Sequence, residues 1–270
     1  MQNQNKFHYK AMMFLSFAGP AVILFSAVVI VPFLFGLYLT FTGWDGISSS
    51  IPFVGLENYV ALFQDGSFWV SLGRTILYAF VAVILANVVA FGLAYLVTSK
   101  IKGSNFFRAA FFTPNLIGGI VLGYIWQFVF KQAILVIGDA TGFSLFSTSW
   151  LSDPIKAFWA LIIVTVWQLS GYLMLIYIAG LMGVSDDLKE AAKIDGCDEK
   201  KTTRYITLPM MAGTFTICFF LAITRAFVTY DVNISLTEGG PYGSTTLAAM
   251  YVYNMAFSSK KYGLGQAEAL

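Results

Sequence analysis

Charge is the scarcest property of this 270-residue sequence. Lys, Arg, Asp and Glu together fill 11% of positions, against roughly 25% in ordinary soluble chains. So few charges cannot solvate the surface of a globular domain. Disorder is excluded as well, since it needs low hydrophobicity and high charge. Two cysteines, Cys197 and Cys218, are too few for a disulfide framework. The single histidine, His8, lies in a polar tail and offers no metal site. No HExxH motif or Ser/His catalytic pair supports an intramembrane enzyme, and no G-x-x-x-x-G-K-[ST] phosphate loop occurs. A net charge of +2 makes no case for a nucleic-acid partner.

Apolar residues are abundant instead. They make up 58% of the chain, Phe alone occurs 26 times, and the mean hydropathy is +0.74. This composition describes an all-α polytopic membrane protein embedded in a lipid bilayer. No barrel-type alternation is present, so helices must satisfy the backbone polar groups in lipid. Charge-poor runs at 11–44, 75–99, 109–130, 157–185 and 205–224 each reach the roughly 20 residues needed to cross the hydrocarbon. The first is about twice as long as the apolar core of a signal peptide. A sixth run, 239–259, opens Gly-Gly-Pro-Tyr-Gly-Ser-Thr-Thr and has only a short apolar part, so we read it as an extracytoplasmic loop followed by a short helix.

Lys and Arg set the orientation. Lys6 and Lys10 precede the first run. Lys100, Lys102 and Arg108 follow the second, and Lys189, Lys193, Lys200, Lys201 and Arg204 follow the fourth. The segment 45–68 holds no Lys or Arg. Residues 1–10 are therefore expected to be a cytoplasmic tail, 11–270 the transmembrane domain, and 185–209 a cytoplasmic loop. Lys260 and Lys261 fall outside under five spans; span length outweighs two charges near a chain end. An odd span count leaves the C-terminus outside, so the expectation is that a last helix is missing from this sequence.

The segment 185–209 concentrates mixed charge in a chain that otherwise avoids it. Asp187 precedes Glu190 by three residues, a capping-box spacing. Leu188, Ala191, Ala192 and Asp195 recur at helical spacing and would form one small-residue face. Gly196 is placed to end the helix with positive φ. A second short helix at 198–204 would lead to Pro209, in the first turns of the next span. Periodicity alone leaves two readings open, a solvated loop and an interaction helix.

Polar residues inside spans face a cavity or a partner helix. Asn87 is expected to bond another helix. Gln168 and Tyr172 share a face in mid-span and are candidates for the solute pathway. Arg225, Thr229, Tyr230 and Asp231 cluster at what reads as the outer end of the fifth span. For Arg225 and Asp231, a mutual or interhelical ion pair competes with solute contact. Gly118, Gly119 and Gly123 suggest close helix packing. Trp44, Trp69, Trp126 and Trp150 read as interfacial anchors. Asp45, Glu57 and Asp65 read as a solvated outer face.

The string Glu190-Ala191-Ala192, Asp195-Gly196, Ile206 and Leu208-Pro209 resembles the EAA loop of ABC-transporter permeases. Asp231, then Leu236-Thr237-x-Gly239-Gly240-Pro241 and Tyr253-Asn254-x-Ala256-Phe257, is similar to the sugar-permease branch, the relatives of the maltose-type inner permease. The resemblance runs from about residue 11 to the end, with Cys197 where the family usually has Ala. It implies a six-helix importer-type permease core in a bacterial cytoplasmic membrane, five spans of which are clear here. It implies that Glu190, Ala191, Ala192, Asp195, Gly196, Leu208 and Pro209 couple to a cytoplasmic ATPase. It further implies two ATPase subunits that carry ATP and Mg, a second homologous permease forming a heterodimer, and an extracytoplasmic solute-binding protein. No cofactor belongs to this chain, which is a transport subunit rather than an enzyme. The alternatives are an ABC permease for a polyol phosphate or peptide, and an ion-coupled secondary carrier. The carrier would keep an ionisable residue deep in a span, whereas Arg225 and Asp231 read as lying toward an end.

Overall fold

The computed structural model describes residues 2–99 and 103–270, and no side chains at 2–8, 10 and 11. Lys100 and Lys102 lie outside the described residues, as do the side chains of Lys6, His8 and Lys10. The described residues form helices and no strand; their one β contact is an isolated bridge between Thr42 and Phe53. Four helices are long and apolar enough to cross a membrane, or five if a bent pair counts as one span. The chain divides into two compact units, 1–68 with 252–270, and 69–251.

The first unit begins with α1 (Gln2–Phe25), which continues through a π turn at Ser26–Ile30 into α2 (Val31–Leu39). The backbone is thus already helical across the expected tail. After α2 the chain turns into α3 (Glu57–Gln64). Asn58 Nδ2 donates to the carbonyls of Thr40 and Thr42, each at 2.8 Å. Asp45 organises the preceding turn by accepting from the Ser48 and Ile47 amides and the Ser48 hydroxyl. Those bonds hold its carboxyl down at about 2.

The second unit is built on α4 (Gly66–Thr98), whose first three residues belong to the first unit, and on α8 (Pro154–Met182). Both have the length to cross the bilayer. Hydrogen bonds tie Tyr78 to Thr165 at 2.6 Å and Tyr177 to Asn87 at 2.7 Å. Both residue numbers rise together, so α4 and α8 run in the same direction. Ala79, Ala82, Ala86, Ala90 and Ala94 form a buried stripe along α4, a pattern that lets helices approach closely where packing alone drives association. The Asn87 bond is the interhelical one expected from its sequence. The apolar stretch of α8 is 61% buried within the chain, which makes it the central helix.

Between these helices lie α5 (Ser104–Leu116), α6 (Gly119–Phe128) and α7 (Ile134–Thr141). The expected third span, 109–130, is therefore displaced: α5 ends at Leu116, and the helix long and apolar enough to cross is Gly119–Thr141, which starts as α6 and runs on through a π turn into α7. Pro114 removes one N–H near the end of α5, and Ile117 and Gly118 are extended. Gly119 and Gly123 do make room for a neighbour: a Cβ on Gly123 would meet the Ser235 side chain, and one on Gly119 would lie 2.7 Å from Asp231 Cβ. Gly118 has open space and serves the break instead. Trp126 and Trp150 are not simple interfacial anchors. They stack with Phe130 at 5.3 and 5.4 Å and join an aromatic cluster with Trp167.

After α8 come α9 (Asp186–Ile194), α10 (Glu199–Thr202), α11 (Leu208–Met210) and α12 (Ala212–Phe227). The fifth span is this last group, with Glu199–Met210 and Ala212–Phe227 bent by 65°. Pro209 and the π turn Thr203–Thr207 disrupt its ladder. Then follow α13 (Asp231–Leu236), a loop, α14 (Ala248–Tyr253) and α15 (Tyr262–Ala269). The short helix expected after the glycine-rich loop is α14, extended by a π turn over Asn254–Ser258.

Candidate functional site

The loop after α8 presents α9 as a separate charged helix. Ser185 caps it by accepting from the Asp187 amide at 3.2 Å. The capping residue is thus Ser185, two residues ahead of the expected Asp187–Glu190 box, because Gly183 already closes the preceding helix and α9 starts at Asp186. At the other end Gly196 has φ +82°. Its amide donates to Lys193 O at 3.1 Å, and the Cys197 amide donates to Ala192 O at 2.9 Å. These two bonds form a Schellman cap, which requires the left-handed residue that glycine supplies.

Leu188, Ala191 and Asp195 face outward, with Ile194 83% exposed beside them. Ala192 does not share that face: it is 4% exposed and anchors the helix to its own chain. The difference is geometric, since a residue one step from Ala191 points about 100° away around the helix. Glu190 is also exposed, whereas Leu208 is partly buried beside the start of the bend and Pro209 helps to make it. Behind α9 a groove of about 720 Å³ opens between the ends of α4 and α8, lined by Tyr95, Ser99, Asp186, Lys189, Lys193 and Glu199. The pair Lys189–Asp186, 3.0 Å apart, is a surface pair with little energetic weight.

A second cavity, about 520 Å³, lies level with Gln168, the midpoint of α8. Gln168, Arg225, Thr229, Tyr230 and Asp231 all line it, together with Asn115 and Thr165. The Arg225 guanidinium sits 6.0 Å from the centre of the Tyr172 ring, so Tyr172 lies behind Arg225 rather than on the cavity wall. This corrects the depth read from sequence. Arg225, Thr229, Tyr230 and Asp231 are not at an outer end, because α12 stops at Phe227 and the chain breaks before α13, so the end of that apolar run is not the edge of the membrane. Arg225 and Asp231 form no ion pair among the described residues.

The two breaks explain why a polar cavity can exist here. The end of α5, the start of α6, the end of α12 and the start of α13 all meet at this level. Helix ends leave backbone groups without partners, and such groups are tolerated at membrane depth only beside protein or a water-filled cavity. Gln168 Nε2 meets one of these groups, donating to Ile117 O at 3.1 Å. Tyr78, which sequence reasoning did not single out, bonds Thr165 and approaches the Thr229 hydroxyl at 3.4 Å. A tyrosine flanked by apolar residues on a long helix carries no local sign of this.

The family described as binding-protein-dependent transport system inner membrane component matches residues 86–269. This chain belongs to that family. It is 40% identical over 270 residues to the probable starch degradation products transport system permease protein AmyD of Thermoanaerobacterium thermosulfurigenes, covering all of this chain and 92% of the relative. It is 34% identical to the multiple sugar-binding transport system permease protein MsmF of Streptococcus mutans, covering 88% and 82%. Among solved structures, a bacterial ABC transporter that imports the acidic polysaccharide alginate has the same fold. The TM-score is 0.82 at 17% identity, over 100% of this chain and 92% of that one. The chain is thus a membrane-embedded ABC importer permease, a transport subunit whose family works with an ATPase and a solute-binding protein.

Proposed function

We propose that this chain is the permease subunit of an ATP-driven importer for a sugar or oligosaccharide, which moves the solute by alternating access through the cavity beside Gln168. The observation that carries this reading is that cavity. Five polar candidates from separate elements meet at the midpoint of the central helix, where helix breaks expose backbone groups. Hydroxyls, the amides of Gln168 and Asn115 and the ring of Tyr230 suit a solute with hydroxyls at its rim and C–H faces. The names of the two relatives, starch degradation products and multiple sugars, agree with that class.

Arg225 raises the alternative of a phosphorylated polyol, because a guanidinium at this depth would welcome an anion. Asp231 on the same wall offsets it and favours a neutral solute. The exposed face of Leu188, Ala191 and Asp195, with Glu190, fits a cleft in a cytoplasmic ATPase subunit. Gly196, through its cap, fixes the angle of that face, while Ala192, Leu208 and Pro209 hold it to the transmembrane helices. In this proposal the N-terminus is inside, a second, different permease completes the pathway, and ATP and Mg stay on two ATPase subunits. Competition for uptake of a labelled maltooligosaccharide tests the solute class. Unlabelled neutral oligosaccharide should compete, and a polyol phosphate should not; the reverse order would transfer the reading to the phosphorylated solute.

A further inference from the structure

Tyr78 stands behind the cavity wall rather than in it. It is fully buried on α4, and its ring packs edge-on against Phe158 with centroids 6.4 Å apart. Its hydroxyl touches two of the threonines that line the cavity. Thr165 of α8 is 2.6 Å away, and Thr229, just past the end of α12, is 3.4 Å away.

The direction of donation along this chain is fixed from one end. Arg225 lies in the last turn of α12, where carbonyls lack an intrahelical partner. A carbonyl can only accept, and the Thr229 hydroxyl donates to Arg225 O at 3.0 Å. Each hydroxyl has a single hydrogen. With that of Thr229 committed, the Tyr78 hydroxyl donates to Thr229. The short contact between Tyr78 and Thr165 then takes the Thr165 hydrogen. Donation therefore runs from Thr165 to Tyr78, to Thr229, to the Arg225 carbonyl. Bonds aligned head to tail in this way polarise one another. Both threonines reach the cavity with their hydrogens spent and only oxygen lone pairs to offer.

We propose that Tyr78 is a positioning residue for solute recognition. It holds Thr165 and Thr229 as hydrogen-bond acceptors, so that this part of the wall takes solute hydroxyls as donors and rejects groups that can only accept. This rests on the sugar-importer reading above and deepens it. Every sugar hydroxyl has a hydrogen to give, whereas an ether oxygen or a fully ionised phosphate has none. A group facing an acceptor without a hydrogen leaves both unpaired, which is where the discrimination comes from.

The test is equilibrium binding of maltotriose and its monofluorinated analogues to the whole assembled transporter in nanodiscs, without binding protein. Fluorine in place of a hydroxyl keeps the shape and removes the donor. In the parent, at least one analogue should bind about tenfold more weakly than maltotriose. In Tyr78→Phe, which keeps the ring, that penalty should shrink to within about threefold, because the freed threonine hydroxyl no longer demands a donor. Thr229→Val interrupts the chain at its next link, turns the Tyr78 hydrogen toward Thr165 and should shrink the penalty likewise. A penalty that persists in both variants would overturn the proposal, as would a parent that binds maltotriose with no penalty for any analogue. Loss of complex yield in Tyr78→Phe with the penalty intact would reduce Tyr78 to a brace between α4 and α8. A parent that does not bind maltotriose at all would instead remove the sugar reading, and this inference with it.

Discussion

Gln168 illustrates how one side chain serves two needs. Its amide satisfies Ile117 O at the α5–α6 break while it lines the cavity. Gln168→Leu should therefore strand a part-buried carbonyl, at a cost of up to about 1–3 kcal/mol, and remove a polar group from the pathway. We expect uptake efficiency to drop by one to two decades and intact-complex yield to fall modestly. Uptake and yield measured together check this; full uptake at normal yield would leave the residue without a role. The sequence placed Gln168 correctly in mid-span but could not show its partner, because Ile117 looks like any apolar residue in a continuous run. Arg225 was misplaced for the related reason that a charge was taken to mark a membrane edge. Here it marks a helix break, and the guanidinium rests on Tyr172.

At the scale of elements, the helix α9 was legible almost entirely. Mixed charge, helical spacing and an Asp-Gly ending carry that information locally. Ala192 was the exception, because nothing in the sequence says which neighbour the helix leans on. Gly196→Val puts a β-branched residue at φ +82°, where even an ordinary side chain costs about 1–2 kcal/mol. There is open space around that position, so the effect should be confined to the cap. The subunit should still insert, while transport-linked ATP hydrolysis should be lost; normal stimulation in the variant would refute the coupling role. The contact of α6 with α13 gives a second test. Gly123→Leu would force Ser235 away and should cost about 1–3 kcal/mol, read as lost complex yield in detergent. Gly118→Ala, with open space and φ −59°, should retain full yield.

For the whole molecule, the fold class and most of the spans were legible from charge-free runs alone, since crossing lipid imposes length and composition, but the third runs over Gly119–Thr141 and the fifth is a bent pair. The broken spans were not, because a break beside a cavity needs no polar punctuation when another helix supplies the missing hydrogen bonds. The proposed sidedness, read from the basic residues, is directly testable: a cysteine at Ser185 should label only from the cytoplasm and one at Ser49 only from outside. The central claim is ATP-driven import, and the most direct measurement is uptake of a labelled maltooligosaccharide into vesicles bearing the assembled transporter. Accumulation is expected only with the loaded binding protein outside and ATP on the side of Ser185, unaffected when ion gradients are collapsed. Accumulation driven by a sodium or proton gradient in the absence of ATP would contradict it.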